Sequence, residues 1–259
     1  MTHRATTVAR PLRLAAVGLV LLLAGCASAP TVAPQRSPLA HWTPSPNFNV
    51  RKAQLIVLHH TSIGDPAAAL RVLRTRNDEG PVSAHYLVEA DGRIDQLVDD
   101  NARAWHAGAS RWAGMTDINS SSIGIEIDND GHSPFTRPQI QALVNLLADL
   151  TSRLGIPREA VVGHGDIAPG RKNDPSVQFP WATLARYGFG LWPDATLIPA
   201  PPAFDSLAAM RLVGYDVSNP RNAIIAFHRH YRAVETDTLD ATDAAILYSL
   251  QRKLMSGNR

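Results

Sequence analysis

The apolar positions of this chain follow two different rhythms. Leu55-Ile56-Val57-Leu58 is an unbroken apolar run ending in His59-His60. It predicts a strand buried on both faces, with polar groups at its C-terminal end. Asp65-Pro66 then opens a helix, with Asp65 as N-cap, Pro66 at the first helical position, and Leu70 and Leu73 on the buried side. His85–Glu89 and Arg93–Val98 flank Asp91-Gly92, a strong hairpin signal. From Ser122 to Asp128 the residues alternate, placing Ile123, Ile125 and Ile127 on one face and Gly124, Glu126 and Asp128 on the other. Thr136-Arg137-Pro138-Gln139 has the form of a capping box. The helix behind it carries Ile140, Leu143, Val144, Leu147, Leu150 and Leu154 at helical spacing and stops at Gly155. Val161-Val162-Gly163-His164 is a further strand end.

Strands alternating with helices predict an α/β domain, a mixed central β-sheet flanked by helices. After the Pro-rich break Pro199-Ala200-Pro201-Pro202 the pattern turns wholly helical, with segments over Phe204–Leu212, Asn222–Tyr231 and Ala241–Leu254. This reading divides the chain into 1–25, a signal peptide; 26–46, a Pro-, Ala- and Ser-rich tether; 47–199, the main domain; and 200–259, a small domain of three helices. Every candidate for chemistry precedes residue 200, so the main domain is expected to act without the helices.

The chain has 259 residues with 25 Lys+Arg against 23 Asp+Glu, which is no signature of nucleic-acid binding. Three of the arginines, Arg4, Arg10 and Arg13, lie in the first 25 residues, which hold no acid. The balance beyond that segment is 22 against 23. The apolar run from Leu14 to Ala24 is too short to span a bilayer comfortably and suits a signal-peptide core. It ends in Leu23-Ala24-Gly25-Cys26, which resembles the bacterial lipobox, and Cys26 is the only cysteine. The resemblance implies fatty-acyl (palmitate) modification of Cys26. With Ala27 following, it implies an outer-membrane lipoprotein facing the periplasm of a Gram-negative cell.

His59 or His60, His164 and Asp174 supply two imidazoles and one carboxylate, a catalytic zinc donor set that leaves a position for water. Spacing alone does not choose between His59 and His60, because adjacent strand residues point to opposite faces.

Six segments, in order, carry a wider resemblance. They are Ile56–Thr61, Ser83–Val88, Ala104–Gly108, Ser122–Ile127, Val162–Pro175 and Phe179–Trp181. They look like those of the zinc-dependent N-acetylmuramoyl-L-alanine amidases of the type 2 amidase and peptidoglycan recognition protein family. With the lipobox and the C-terminal helices, the chain is most similar to the AmiD-like outer-membrane lipoprotein amidases. The resemblance implies one Zn²⁺ held by His59, His164 and Asp174, with His59 selected by the family's His-x-Thr pattern. It implies Glu126 as general base and Lys172 as stabiliser of the oxyanion. His106, Tyr86 and His85 are expected at the substrate, and Asp166 either orients His164 or caps its turn. Peptidoglycan or muramyl peptides are the implied partner, with the chain acting as a monomer. The helices resemble a peptidoglycan-binding module but have His228 after Phe227 where that module has Gln, which leaves glycan binding open. His132, His228 and His230 belong to no motif and read as surface or packing residues. Trp42, Trp112 and Trp181 read as core. A zinc-free recognition protein and a wall-tethering scaffold are the competing classes; the first is disfavoured by the intact donor set.

Overall fold

The computed structural model describes residues 36–257 and Met1, positions 48, 51, 78 and 79 excepted. Cys26 and its lipobox-like segment lie outside the described residues. Among the described residues ten strands occur in chain order: β1 (His41–Trp42), β2 (Asn49–Val50), β3 (Leu55–Leu58), β4 (Arg76–Asn77), β5 (Gly80–Pro81), β6 (Tyr86–Val88), β7 (Ile94–Gln96), β8 (Ala102–Arg103), β9 (Ser122–Ile127) and β10 (Val161–Gly163). Eight helices accompany them: α1 (Pro66–Arg74), α2 (Ile118–Ser121), α3 (Arg137–Leu154), α4 (His164–Ile167), α5 (Trp181–Arg186), α6 (Ser206–Val213), α7 (Pro220–Arg232) and α8 (Ala241–Ser256).

Six strands form the main sheet in the order β1-β7-β6-β9-β3-β10. Its pairs are parallel except for the β6–β7 hairpin. That hairpin turns at Asp91-Gly92, as the sequence predicts, so the sheet is mixed.

The unbroken apolar run of β3 has a direct cause. Ile56 and Leu58 pack with Leu143, Leu147 and Leu150 of α3 on one face. Leu55 and Val57 share the other face with Met210 of α6, Phe227 of α7 and Leu247 and Leu250 of α8. A strand between two helical layers has no solvent face and therefore no polar alternation. The helices after the Pro-rich break thus share a core with the sheet, and Pro34–Arg259 is a single compact unit. Burying each large side chain of this kind contributes roughly 1.5–3 kcal/mol.

Local signals set the helix ends. Asp65 accepts the Ala67 N–H at 3.0 Å and starts α1, whose Ala69 and Leu73 are buried, with Leu70 partly so. Thr136 Oγ1 accepts from Gln139 N at 3.2 Å, and Gly155, at φ 67°, ends α3 in the left-handed conformation. The capping box expected at Thr136 is only half made. Gln139 is fully buried, and its side-chain amide donates instead to Val88 O at 3.1 Å and Asp128 O at 2.9 Å. It joins α3 to the chain at the ends of β6 and β9, adding a second donor to Val88 O, which also accepts from Asp128 N at 2.9 Å.

Candidate metal centre

Three neighbouring parallel strands deliver the central residues. Leu58 of β3 is level with Ile125 of β9 and with Gly163 of β10. One residue further along each strand stand His59, Glu126 and His164. His59 N donates to Ile125 O at 2.9 Å, which continues the ladder past the end of β3. The C-terminal edge of parallel strands is where α/β sheets place their ligands. Asp174 arrives by a loop, secured by the Gly165 N–H donating to Asp174 O at 2.7 Å.

Nδ1 of His59, Nδ1 of His164 and Oδ2 of Asp174 meet at mutual distances of 2.9, 3.0 and 3.2 Å. A tetrahedral zinc ion with bonds of about 2.0–2.1 Å separates its ligand atoms by about 3.3 Å. The three atoms therefore match one face of such a shell. Three buried lone-pair carriers this close are favourable only around shared protons or a cation. Burial, then the charge of His164, lowers the His59 pKa to about 4, so its ring is neutral at physiological pH. Burial alone would raise Asp174, but hydrogen bonds and charges from His164 and His59 hold it well below the usual carboxylate range. The set is among the described groups suited to a metal ion.

Ring orientations are fixed from behind. Ser122 Oγ donates to Ile118 O at 2.6 Å, so it accepts from Nε2 of His106 at 3.2 Å. Nδ1 of His106 is then an acceptor, and it takes the proton of Nε2 of His59 at 3.0 Å. That leaves Nδ1 of His59 as the bare nitrogen facing Asp174. The ring of His106 lies over Gly124, where a Cβ would stand 2.4 Å from it. His164 is held similarly: Nε2 donates to Ala107 O at 3.2 Å, a carbonyl that Arg171 also reaches at 2.6 Å.

Glu126 projects from the face of β9 opposite its isoleucines. Its Oε1 is 4.0 Å from Nδ1 of His59, and its buried Oε2 has no hydrogen-bond partner among the described residues. Burial, then the charge of Asp174, raises its pKa to about 8, against a lowering by Lys172. Glu126, Lys172, His106 and the three donors line one cleft of about 420 Å³. Ile63, Val72, Leu73 and Val82 supply apolar lining to the same cleft.

The expectation that His85 and Tyr86 stand at the substrate needs correction. His85 is fully buried with both ring nitrogens on backbone: Nδ1 accepts from Gly124 N at 2.9 Å and Nε2 meets Ala102 O at 3.0 Å. Tyr86 is equally buried and donates to Asp100 at 2.7 Å. Neither reaches the cleft, because both side chains face inward, so their place is structural rather than at the substrate. Of the two roles expected for Asp166, the turn cap is the one its side chain makes: it accepts from Gly163 N at 2.7 Å at the start of α4. Of the three motif-free histidines, His228 and His230 are packing residues in the core, 3.0 Å from Asp243 and 2.7 Å from Asp166 respectively, and His132 is a surface residue. His60 accepts from Ser176 N at 3.2 Å, on the side of the strand away from the donor triangle. Trp112 and Trp181 are core residues, as read.

No local sequence signal marks Ser122, Gly124 or Arg171, because each acts through a partner distant in sequence.

A family profile described as N-acetylmuramoyl-L-alanine amidase matches residues 49–177. The chain is 36% identical to N-acetylmuramoyl-L-alanine amidase AmiD of Escherichia coli K12, over 92% of this chain and 96% of that protein. It is 45% identical to 1,6-anhydro-N-acetylmuramyl-L-alanine amidase AmpD of Haemophilus influenzae, over 39% of this chain and 55% of that one. The fold is similar to that of the E. coli AmiD complex with anhydro-N-acetylmuramic acid-L-Ala-D-γ-Glu-L-Lys. The TM-score is 0.69 at 38% identity, covering 78% of this chain and 89% of the other. It is also similar to AmpDh3 of Pseudomonas aeruginosa in complex with anhydromuramic pentapeptide, with TM-score 0.69 at 35% identity, covering 85% and 98%.

Proposed function

Since the chain belongs to the N-acetylmuramoyl-L-alanine amidase family, we propose that it hydrolyses the amide between the lactyl group of N-acetylmuramic acid, or its anhydro form, and L-alanine of peptidoglycan stem peptides. The observation that carries this reading is the donor triangle of His59, His164 and Asp174, with Glu126 and Lys172 on the same cleft. His59, His164 and Asp174 would hold a zinc ion, which supplies Lewis-acid polarisation of the carbonyl and acidification of a water.

The chain's own groups do the rest. Glu126 takes the proton of the attacking water and passes it to the departing L-alanine nitrogen. A carboxyl raised by burial toward neutral pH is suited to both halves of that transfer. The Lys172 ammonium stabilises the negative charge that develops on the attacked oxygen, an effect typically worth about 10²–10³ in turnover. The apolar lining of the cleft excludes water from part of the substrate.

The working site is the cell envelope. The lipobox-like segment supports an acyl anchor on Cys26 and an outer-membrane location facing the periplasm, with peptidoglycan fragments as substrate in wall turnover or remodelling. Among the described residues no helix is long and apolar enough to cross a membrane.

Incubation with purified sacculi, with and without a chelator, tests the reading. New L-alanine amino termini should form and should vanish on chelation. Glu126→Gln and Lys172→Ala should each retain zinc while turnover falls by about 10² or more. Wall binding by the zinc-loaded protein with no new L-alanine termini would leave a binding module or a tether instead.

A further inference from the structure

We infer that the C-terminal helices set the position of His164, with Tyr215 and His230 as positioning residues acting through Asp166. The inference rests on reading His59, His164 and Asp174 as metal ligands.

Asp166 lies in α4, two residues after His164, and is almost wholly buried. Its carboxylate gathers three donors. Oδ2 accepts from Gly163 N at 2.7 Å and from Nδ1 of His230 at 2.7 Å, and Oδ1 accepts the Tyr215 hydroxyl at 2.9 Å. Gly163 is the last residue of β10 and pairs with Leu58. One carboxylate therefore ties together the strand before His164, the turn after it, and two side chains from beyond residue 200. Both side-chain donors are buried and braced by aromatic contacts. His230 stacks on Trp181 at 3.8 Å between centroids, and Tyr215 meets Trp112 edge-on at 5.0 Å.

The backbone of the same segment is pressed against α7. A Cβ on Gly165 would lie 2.8 Å from an Arg229 nitrogen, and one on Gly170 would lie 2.0 Å from Asn222. At Gly170, whose φ is 79°, glycine is required, whereas at Gly165 the end of the Arg229 side chain would have to give way. Gly165 is also the residue whose N–H holds Asp174. The stretch from Gly163 to Asp174, bearing two of the three donors and Lys172, is thus clamped between the sheet and α7. A carboxylate that loses two of its three donors in a dry site rotates or admits water, and the turn bearing His164 moves with it. Partners behind metal ligands commonly affect affinity about 10–100-fold.

The test measures Zn²⁺ affinity of the full chain by competition with a chromophoric chelator, alongside the melting temperature of the chelator-stripped protein. Tyr215→Phe/His230→Phe keeps both rings and removes both donors; its dissociation constant for zinc should rise at least about tenfold. His230→Asn, which returns a donor near the position of Nδ1, should recover most of that affinity in the Tyr215→Phe background. Leu250→Ala, in α8 and in the shared core, is the control: it should lower the melting temperature and leave zinc affinity unchanged. Unchanged affinity in the double variant, or an equal loss in Leu250→Ala, would overturn the inference. Failure of the unmutated chain to bind zinc would overturn the metal reading itself, and this one with it.

Discussion

Nδ1 of His106 lies 3.0 Å from Nε2 of His59, on the side of that ring turned away from Asp174. The pair decides which nitrogen of His59 is bare. His106→Ala should therefore weaken zinc binding about tenfold or more, although His106 is not a ligand. Ser122→Ala should act in the same direction and less strongly, since it removes only the group that fixes the tautomer of His106. Chelator competition on both variants measures this.

Asp174→Ala removes the only anionic donor of the set. It should abolish measurable zinc binding and activity. His60→Ala should keep the metal, because its ring faces Ser176 and not the triangle. Zinc content after gel filtration reads both, and metal loss confined to His60→Ala would show that the wrong neighbour has been assigned.

The chelator-stripped protein should lose stability as pH rises from about 6.5 to 8. The folded state raises the Glu126 pKa from 4.5 to about 8, chiefly by burial. A raised carboxyl means that the folded form holds a proton the unfolded form has released, so stability falls with pH until about 8. Below 6.5 His59 opposes this: its pKa is lowered to about 4, so the unfolded chain binds the extra proton and stability rises with pH there. The window from 6.5 to 8 isolates Glu126, with an expected loss of about 1–2 kcal/mol. Urea melts at several pH values should show that slope in the unmutated chain and not in Glu126→Gln.

Deleting residues 203–259 should leave no folded amidase. The sequence alone suggests that the chemistry survives this cut. The shared core does not allow it, because Leu55, Val57, Val162 and Ile167 would lose their packing against α6, α7 and α8. A single large-to-small change in such a core costs about 2–5 kcal/mol, and the whole fold is stable by only about 5–15 kcal/mol. Far-ultraviolet circular dichroism and solubility of the truncated chain check this.

The elements read most directly from sequence are those whose cause is local. The β6–β7 hairpin, the caps of α1 and α3, and the alternation of β9 each follow from a few neighbouring residues. Residue types alone suggest a donor set of two imidazoles and a carboxylate but leave His59 and His60 equal, and the resemblance to a known family selects His59. What escaped was long-range. The amide of Gln139 looked like half of a capping box, yet two strand-end carbonyls claim it. His230 showed no partner within its own helix, because its carboxylate is 64 residues earlier. His85 and Tyr86 stand in a segment resembling active-site sequence, and they serve by filling the floor beneath it.

The level alignment of His59, Glu126 and His164 has a consequence for how this chain can change. The three are indexed to one another by the hydrogen-bond ladder, so a one-residue insertion within β3, β9 or β10 would turn the following side chain to the opposite side of the sheet. Apart from the clamped stretch from Gly163 to Asp174, the segments beyond those strand ends carry no such register. They can lengthen, shorten or exchange composition around a fixed centre, and differences in which wall fragment is cut can accumulate there while the chemistry stays in place.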